Sequence, residues 1–138
     1  MSIFPTKILL ATDGSKDAEL AASTAIDLAN KTGSQLHVVH IMDVVSSVVL
    51  DEADARGLLD VLVKRIEDAG SASAQAHLSE GVPAAEIVAL GEEIGAGLIV
   101  VGSRGLGGVR RALMGSVSDS VVRHAHCPVL VVRMRPGT

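Results

Sequence analysis

Short aliphatic runs alternate along the chain with longer segments in which apolar residues recur every three or four positions. The runs have the length of a buried strand, and the longer segments place one apolar stripe along a helix. Their alternation is typical of βαβ units that build a parallel sheet. We therefore predict the order βαβαβαβαβ, with candidate strands at residues 7–11, 35–41, 73–79, 98–101 and 128–132.

The helical stripes differ in residue size. The first contains mostly small residues (Ala18, Ala21, Ala22, Ala25, Leu28, Ala29), and the second contains larger ones (Ala55, Leu58, Leu59, Leu62, Ile66, Ala69). Gly33 and Gly70 follow these stripes as expected helix stops. Residues 43–50 are predicted to form a loop. Ile87, Leu90 and Ile94 mark a third helix, and Val117, Val121 and Val122 mark the start of a fourth.

The strand patterns also predict each strand's place in the sheet. A strand covered on both faces is continuously aliphatic, whereas a half-exposed strand alternates. Residues 7–11 and 98–101 fit central strands, and residues 73–79 alternate as an edge strand does. The prediction is a doubly wound five-stranded parallel α/β sheet of order 3-2-1-4-5, with four helices on both faces. Ligands of such sheets bind where the strand order reverses, here between strands 1 and 4.

The same order places the last strand at the other edge, although its residues are aliphatic throughout: Val129, Leu130, Val131 and Val132. An uncovered apolar edge is a template for pairing with another chain. We therefore expect a homodimer in which this strand meets its own copy across a two-fold axis. The alternative is that a terminal tail covers the edge.

Composition narrows the class of ligand. Lys and Arg total 12 against 16 Asp and Glu, for a formal charge of -4, so we expect no nucleic-acid partner. Phe4 is the chain's single aromatic residue, which removes the stacking surface that single-stranded bases need. The length of 138 residues and 48% hydrophobic content suit one domain over residues 1–138.

Three further features predict a cytoplasmic location. Cys127 is the lone cysteine, so no intrachain disulfide is possible. The first residues lack the charged-then-apolar pattern of a signal peptide. No apolar run approaches the ~18 residues of a membrane span, so we expect no membrane partner.

A glycine-rich stretch, GSRGLGGVRRALMGS at residues 102–116, joins the fourth candidate strand to the fourth helix. The first amides of that helix, at Ser116, Val117 and Ser118, are expected to point outward and to carry the positive end of the helix dipole. Together they predict a phosphate site. Ser116 and Ser118 would add hydroxyl donors, and Ser116 is also a candidate N-cap with Asp119.

Glycine has a direct use in such a site, because an oxyanion can approach a backbone that has no side chain. We assign that role to Gly102, Gly105 and Gly115. Other phosphate-binding signatures do not fit this chain. The Walker pattern is absent, the first turn reads TDGSKDAE without a G-x-G-x-x-G fingerprint, and Asp13 lacks the second acidic turn of a receiver domain.

Three segments carry a resemblance to a known family. The spacing of Gly102, Gly105 and Gly115-Ser116, the opening KILLATDGS and the strand ending HVVHIMD resemble the universal stress protein family and its ATP-binding signature. The resemblance spans the whole chain. Gly97 and Ser120 depart from it, since an acidic residue commonly precedes the fourth strand and a larger side chain is frequent at the second position.

The resemblance implies an ATP site and a role for each matching position. Ala11, Thr12 and Asp13 would line the adenosine side, and the backbone at Ile41 would read the adenine edge. Val101 and Gly102 would flank the nucleoside. The phosphates would be held by the remaining matching residues: Gly105, Gly115, Ser116, Val117 and Ser118.

Other residues leave alternatives open. Asp13 is expected to lie near the ribose and to bind Mg²⁺ or Mn²⁺ with the phosphates, or else to cap the first helix. Arg104, Arg110 and Arg111 either reach phosphate oxygens or remain solvated. His37 and His40 lie three residues apart on one strand, so they face opposite sides and are not expected to share a metal ion.

Three functions are compatible with these features. The first is an ATP-binding regulatory homodimer whose nucleotide state modulates partners during stress. The second is an enzyme that slowly hydrolyses ATP or transfers its phosphoryl or adenylyl group, although no general base is evident. The third is an interaction scaffold whose site is vacant.

Overall fold

The computed structural model describes residues 2–44, 51–70, 73–104 and 115–133. In these residues five strands and four helices alternate, as the sequence predicts. The strands are β1 (Lys7–Ala11), β2 (Gln35–Asp43), β3 (Ala74–Gly81), β4 (Leu98–Gly102) and β5 (Val129–Val132). The helices are α1 (Lys16–Thr32), α2 (Glu52–Asp68), α3 (Pro83–Ile94) and α4 (Ser116–His124).

The five strands form one parallel sheet in the order β3-β2-β1-β4-β5, which confirms the predicted doubly wound fold. β1 is central and β3 lies at one edge, as expected. Strand bounds differ from the prediction by one residue at the start of β3, the end of β4 and the start of β5, and by two residues at the ends of β2 and β3. β2 continues to Asp43 and β3 to Gly81, because Met42 pairs with Glu80 and Asp43 pairs with Gly81. Residue 43 thus belongs to β2 and not to the predicted loop 43–50, of which residues 45–50 lie outside the described residues.

Helices cover both faces of the sheet. α1 and α2 pack on the face that carries Ile8, Leu10 and Val100, whereas α3 and α4 pack on the face that carries Leu9 and Ile99. The predicted stripe of α1 is buried at its five alanines (Ala18, Ala21, Ala22, Ala25, Ala29). Such small side chains let a helix backbone lie close to the sheet it covers.

The helix ends follow local sequence signals. Ser15 is the N-cap of α1, and its hydroxyl oxygen accepts a hydrogen bond from the N–H of Ala18 at 3.2 Å. Gly33 ends α1 with a φ of 70°, a left-handed conformation that favours glycine. Asp51 caps α2 in the same manner as Ser15 caps α1. Within the part of the chain that the structure describes, none of the helices has the length and apolarity to cross a membrane.

Candidate nucleotide site

The two loops singled out from the sequence meet at the carboxyl ends of β1 and β4. These strands are adjacent, with Leu10 paired to Val100, so Ala11 and Val101 end side by side. This is the position at which the strand order reverses. Thr12 is buried just beyond β1, and Asp13 is partly exposed beside it. The structure therefore brings the predicted Ala11, Thr12, Asp13, Val101 and Gly102 together at one crevice.

Buried polar contacts hold the loop after β1. The N–H of Thr12 donates to the carbonyl oxygen of Val39 at 2.9 Å, and Nδ1 of the buried His40 donates to the carbonyl oxygen of Thr12 at 2.8 Å. His40 therefore fixes this turn from the neighbouring strand. Sequence patterns could not predict this role, because the contact joins β2 to the loop that follows β1.

Asp13 does not cap helix α1, since Ser15 takes the N-cap position. Its Oδ1 accepts a hydrogen bond from the N–H of Ser15 at 2.9 Å, which forms a tight turn before the helix. This turn presents the carboxylate at the crevice. The alternative role of Asp13 as the N-cap of α1 is thus wrong.

Ile41 and Val101 lie on the sheet face covered by α3 and α4, and both are buried. Ile41 is two residues beyond Val39, which pairs with Ala11, so it extends β2 past the end of β1. Its backbone therefore lies beyond the carboxyl end of β1. Whether it reads an adenine edge stays a prediction.

Packing, and not ligand access, explains why glycine occupies position 102. A Cβ at this position would meet the backbone carbon of Asp17 at 2.9 Å and the backbone nitrogen of Ala18 at 3.0 Å. Glycine is required there because the first turn of α1 packs directly on the end of β4. The approach of an oxyanion to this backbone stays a prediction, and α1 closes the Cβ side of Gly102 to it.

Ser103, the next residue, is fully buried and bonds in three directions. Its N–H donates to the carbonyl oxygen of Val132 at 2.7 Å, and its hydroxyl donates to Oδ2 of Asp17 at 2.6 Å. Its carbonyl oxygen accepts from the N–H of Gly115 and from the hydroxyl of Ser118. Ser103 thus ties β4 to β5, α1 and the start of α4.

The start of α4 differs from the expected capping box. Gly115 is the N-cap in an extended conformation, with φ -74° and ψ 166°, and no described side chain caps it. Ser116 instead occupies the first helical position, so its predicted N-cap role is wrong. Asp119 forms an ion pair with Arg123. Within the described ranges, the helix therefore begins without a side-chain acceptor for its first amides.

The amides of Ser116, Val117 and Ser118 have no acceptor within α4. The first intrahelical bond runs from the N–H of Asp119 to the carbonyl oxygen of Gly115 at 3.0 Å. Ser116 and Val117 are exposed, whereas Ser118 is buried. The hydroxyl of Ser118 donates to the carbonyl oxygens of Ser103 and Gly115 at 2.9 and 3.1 Å. Its proton is thus committed inside the protein, and Ser118 has its amide left for an anion.

Several residues of the predicted site cannot be placed. Gly105, Arg110 and Arg111 lie outside the described residues. Arg104 is described, and its backbone N–H donates to Oδ2 of Asp17 at 3.2 Å. Its carbonyl oxygen accepts from the hydroxyl of Ser15 at 3.3 Å. The entrance to the glycine-rich stretch is therefore bound on both sides to the first turn of α1.

A metal ion at this crevice would have one carboxylate to bind, that of Asp13. Among the described residues, no group of three or more His, Cys, Asp or Glu side chains is placed to hold a metal. This donor set suits Mg²⁺, which retains water and binds through one or two carboxylates together with phosphate oxygens. A metal would therefore be bound largely through a ligand's phosphates.

The histidines of β2 face opposite sides, as their spacing predicts. His40 faces the loop after β1, and Nδ1 of His37 lies 3.0 Å from Nε2 of His77 on β3. The rings of His37 and His77 stack, with centroids 5.2 Å apart. Sequence spacing within one strand could not predict this pair, since its partner lies on the neighbouring strand.

A separate cavity of about 380 Å³ lies at the opposite end of the sheet, between the end of α3 and the entrance to β5. Glu92, Ile99, His126 and Cys127 are among its lining residues. Burial raises the pKa of the Cys127 thiol, which disfavours a reactive thiolate. This cavity therefore gains no nucleophile from Cys127, and we do not include it in the nucleotide site.

Comparison with known proteins identifies close sequence relatives. The sequence model of the universal stress protein family matches residues 5–133. A universal stress protein of Methanocaldococcus jannaschii is 36% identical over an alignment that covers 92% of this chain and 81% of that protein. The match therefore includes both loops of the crevice.

Solved structures share the fold. UspA from Lactobacillus plantarum superposes with a TM-score of 0.87 at 23% identity, covering 96% of this chain and all of that one. A universal stress protein in complex with cAMP has a TM-score of 0.78 and 26% identity, with 96% and 98% of the two chains covered. One from Archaeoglobus fulgidus in complex with dAMP has values of 0.72 and 27%, with 94% and 99% covered.

Proposed function

Because this chain belongs to the universal stress protein family, we propose that it is a stress-response protein that binds ATP within a single nucleotide-binding domain. The observation that carries the proposal is the start of α4. Three amides without an acceptor in their own helix open at the sheet's reversal point, where the helix dipole adds roughly half a positive charge. The cAMP and dAMP complexes of similar proteins support an adenine nucleotide as the ligand.

The proposed site has an end that binds phosphates and an end that binds the nucleoside. Backbone amides of Ser116, Val117 and Ser118 would bind the phosphate chain. Asp13 would bind the ribose hydroxyls or a phosphate-bound Mg²⁺ or Mn²⁺. The base would lie against aliphatic side chains near Ile41 and Val101, since the sequence has no Trp or Tyr to stack on it. Because most of the polar contacts would be made to the phosphates and the ribose, we expect ATP to bind more tightly than adenine alone.

The proposed regulatory form is a homodimer that pairs through β5. Among the described residues this strand is an edge of the sheet, and all four of its residues are only partly buried within one chain. The terminal residues 134–138, which would cover it in the alternative interpretation, lie outside the described residues. Pairing with a second copy would cover the four residues of β5. Bound ATP would then regulate the binding of partners to the dimer, without any covalent reaction.

A direct test is to release and identify the bound molecule. Without Trp and Tyr the protein absorbs weakly in the near ultraviolet, so a copurified adenine nucleotide dominates its spectrum. Mass spectrometry of the denatured protein then identifies the ligand. After its removal, calorimetry should detect ATP binding at millimolar nucleotide or below. An absence of binding heat and of any thermal shift would reject the proposal.

A blocking variant separates binding from the other functions. Gly115→Val should abolish ATP binding, because it adds bulk beside the first amides of α4. Gly57→Ala is a matched control, since a Cβ there has nothing within 4 Å. A scaffold would keep its cellular function in Gly115→Val, whereas an ATP-regulated protein would lose it. A metal-dependent turnover that Asp13→Asn abolishes would instead indicate a hydrolase.

A further inference from the structure

Asp17 is a buried carboxylate that the nucleotide assignment does not use. It lies in the first turn of α1 with 7% of its surface exposed. A buried carboxylate is costly unless it accepts hydrogen bonds. Oδ2 of Asp17 accepts two, from the hydroxyl of Ser103 at 2.6 Å and from the N–H of Arg104 at 3.2 Å.

Ser103 carries this contact onward to the anion-binding end of α4. Its carbonyl oxygen accepts hydrogen bonds from the N–H of Gly115 and the hydroxyl of Ser118, while its hydroxyl binds Asp17. Asp17 is therefore one residue removed from the helix start whose amides would bind phosphate. The same serine joins the two loops of the crevice.

Packing leaves this connection little freedom. Gly102 lies against the backbone of Asp17 and Ala18, with no room even for a methyl group. The hydroxyl of Ser15 adds a hydrogen bond to the carbonyl oxygen of Arg104 at 3.3 Å. The first turn of α1 and the end of β4 thus form one rigid unit, to which α4 is attached through Ser103.

We propose that Asp17 is a positioning residue for the phosphate site: through Ser103, its carboxylate fixes the start of α4 relative to the loop that carries Asp13. This inference rests on the proposed ATP-binding function. Asp17 itself touches no ligand in this scheme. It determines the position of the Ser116 and Val117 backbone amides before the triphosphate binds.

The sign of a mutational effect separates positioning from simple electrostatics. A carboxylate near a polyphosphate repels it, so removal of the charge alone would strengthen ATP binding. Loss of positioning would weaken it. Asp17→Asn removes the charge and keeps an acceptor oxygen for Ser103, whereas Asp17→Ala removes both.

The experiment compares four variants by calorimetry with ATP and with adenosine: Asp17→Ala, Asp17→Asn, Ser103→Ala and the double alanine variant. We expect Asp17→Ala to weaken ATP binding about tenfold or more and adenosine binding much less. Asp17→Asn should restore most of the affinity. The double variant should be no weaker than the worse single variant, because the two residues act as one unit. Asp27→Ala, at an exposed site of α1, is the control.

Unchanged or tighter ATP binding in Asp17→Ala, or additive losses in the double variant, would overturn the inference. Amide exchange measured by NMR in ligand-free protein provides a test independent of nucleotide. The protection of the Gly115 amide against exchange should fall about tenfold or more in Ser103→Ala. In Asp17→Asn this protection should be retained. Retained protection in Ser103→Ala would also overturn the inference. If the wild type itself binds no ATP, the proposed function fails, and the exchange data still decide whether Asp17 and Ser103 position α4.

Discussion

At Gly102 the absence of a side chain is a packing requirement, because the backbone of α1 occupies the space that a Cβ would fill. Backbone atoms cannot rotate away as a flexible side chain can. We therefore expect Gly102→Ala to lower the free energy of unfolding by about 1–3 kcal/mol through overpacking. Chemical denaturation measures this change.

Gly57→Ala is the matched control for that substitution. Gly57 lies inside α2 with open space at its Cβ, so alanine there should raise the free energy of unfolding by about 0.5–1 kcal/mol through helix propensity. Equal effects of the two substitutions would show that the close approach at Gly102 is not maintained in solution.

Buried His37, which pairs with the partly buried His77, should make stability depend on pH. Burial, followed by the positive charges of His77 and Lys7, lowers the pKa of His37 below its ordinary value of 6.5. The unfolded chain therefore binds a proton at His37 that the folded chain does not bind, in the range between the two pKa values. Stability should fall as the pH drops below about 6.5.

The His37→Leu substitution tests this linkage. It removes the titrating ring and also removes Nε2 of His37, which is buried without a hydrogen-bond partner among the described residues. Denaturation midpoints between pH 7.5 and 5 should vary less in this variant than in the wild type. The exposed His124→Gln serves as the control. An unchanged pH dependence in His37→Leu would contradict the assignment.

Residue contacts of this kind lay beyond the reach of sequence reasoning. Asp17 and Ser103 are 86 positions apart, and Asp17 sits in a helical first turn where acidic residues are common for reasons of the helix dipole alone. The location of Asp13, by contrast, could be predicted, because it lies in the loop that follows a central strand; its role in binding stays a prediction. The sequence thus predicts which loops meet, and the tertiary structure decides which of their side chains bond.

Ser15 caps α1 and Asp51 caps α2, whereas α3 and α4 begin at Val82 and Gly115 without a cap from a described side chain. A carboxylate at position 115 could accept from the first amides of α4. We expect Gly115→Asp to raise the free energy of unfolding by about 0.5–1 kcal/mol. It should also weaken ATP binding about tenfold or more, because the new carboxylate occupies those amides and repels phosphate.

Thermal unfolding and calorimetry on the same variant check both effects. Gly115→Ala is the control, since it adds a side chain that cannot accept a hydrogen bond. The extended φ of residue 115 accommodates either side chain without backbone strain. A stabilised Gly115→Asp variant that bound ATP as well as the wild type would show that the α4 amides are not the phosphate ligands.

Element positions could be predicted from periodicity because the sheet is buried on both faces and its central strands are continuously aliphatic. The ends of β2 and β3 could not. Met42, Asp43 and Glu80 are only partly buried or exposed, and they are extended because the two strands pair with each other. The N-cap at Gly115 was also missed, since Ser116 is the stronger capping residue by local preference.

For the whole molecule, the open edge of β5 determines how two copies could pair. Pro128 and Val132 direct their carbonyl oxygens toward β4, where they accept from Ile99 and Ser103. Because backbone groups alternate along a strand, Val131 directs its N–H toward the open edge. Val131→Pro should therefore spare the β4 ladder and block pairing with a second copy.

Sedimentation equilibrium measures the result. We expect the wild type to be dimeric and Val131→Pro to be monomeric, while Val131→Ala, which keeps the N–H, should remain largely dimeric. A dimeric Val131→Pro variant would place the interface elsewhere on the molecule. A monomeric wild type would reject the proposed homodimer.

The alanine stripe of α1 has a consequence for engineering a more thermostable form. Methyl groups at Ala21, Ala22 and Ala25 set the spacing between this helix and the sheet, and the same helix begins against Gly102. Larger side chains at these positions would push α1 away from the sheet and separate its first turn from β4. We therefore expect redesign beneath α1 to change ATP affinity together with the melting temperature.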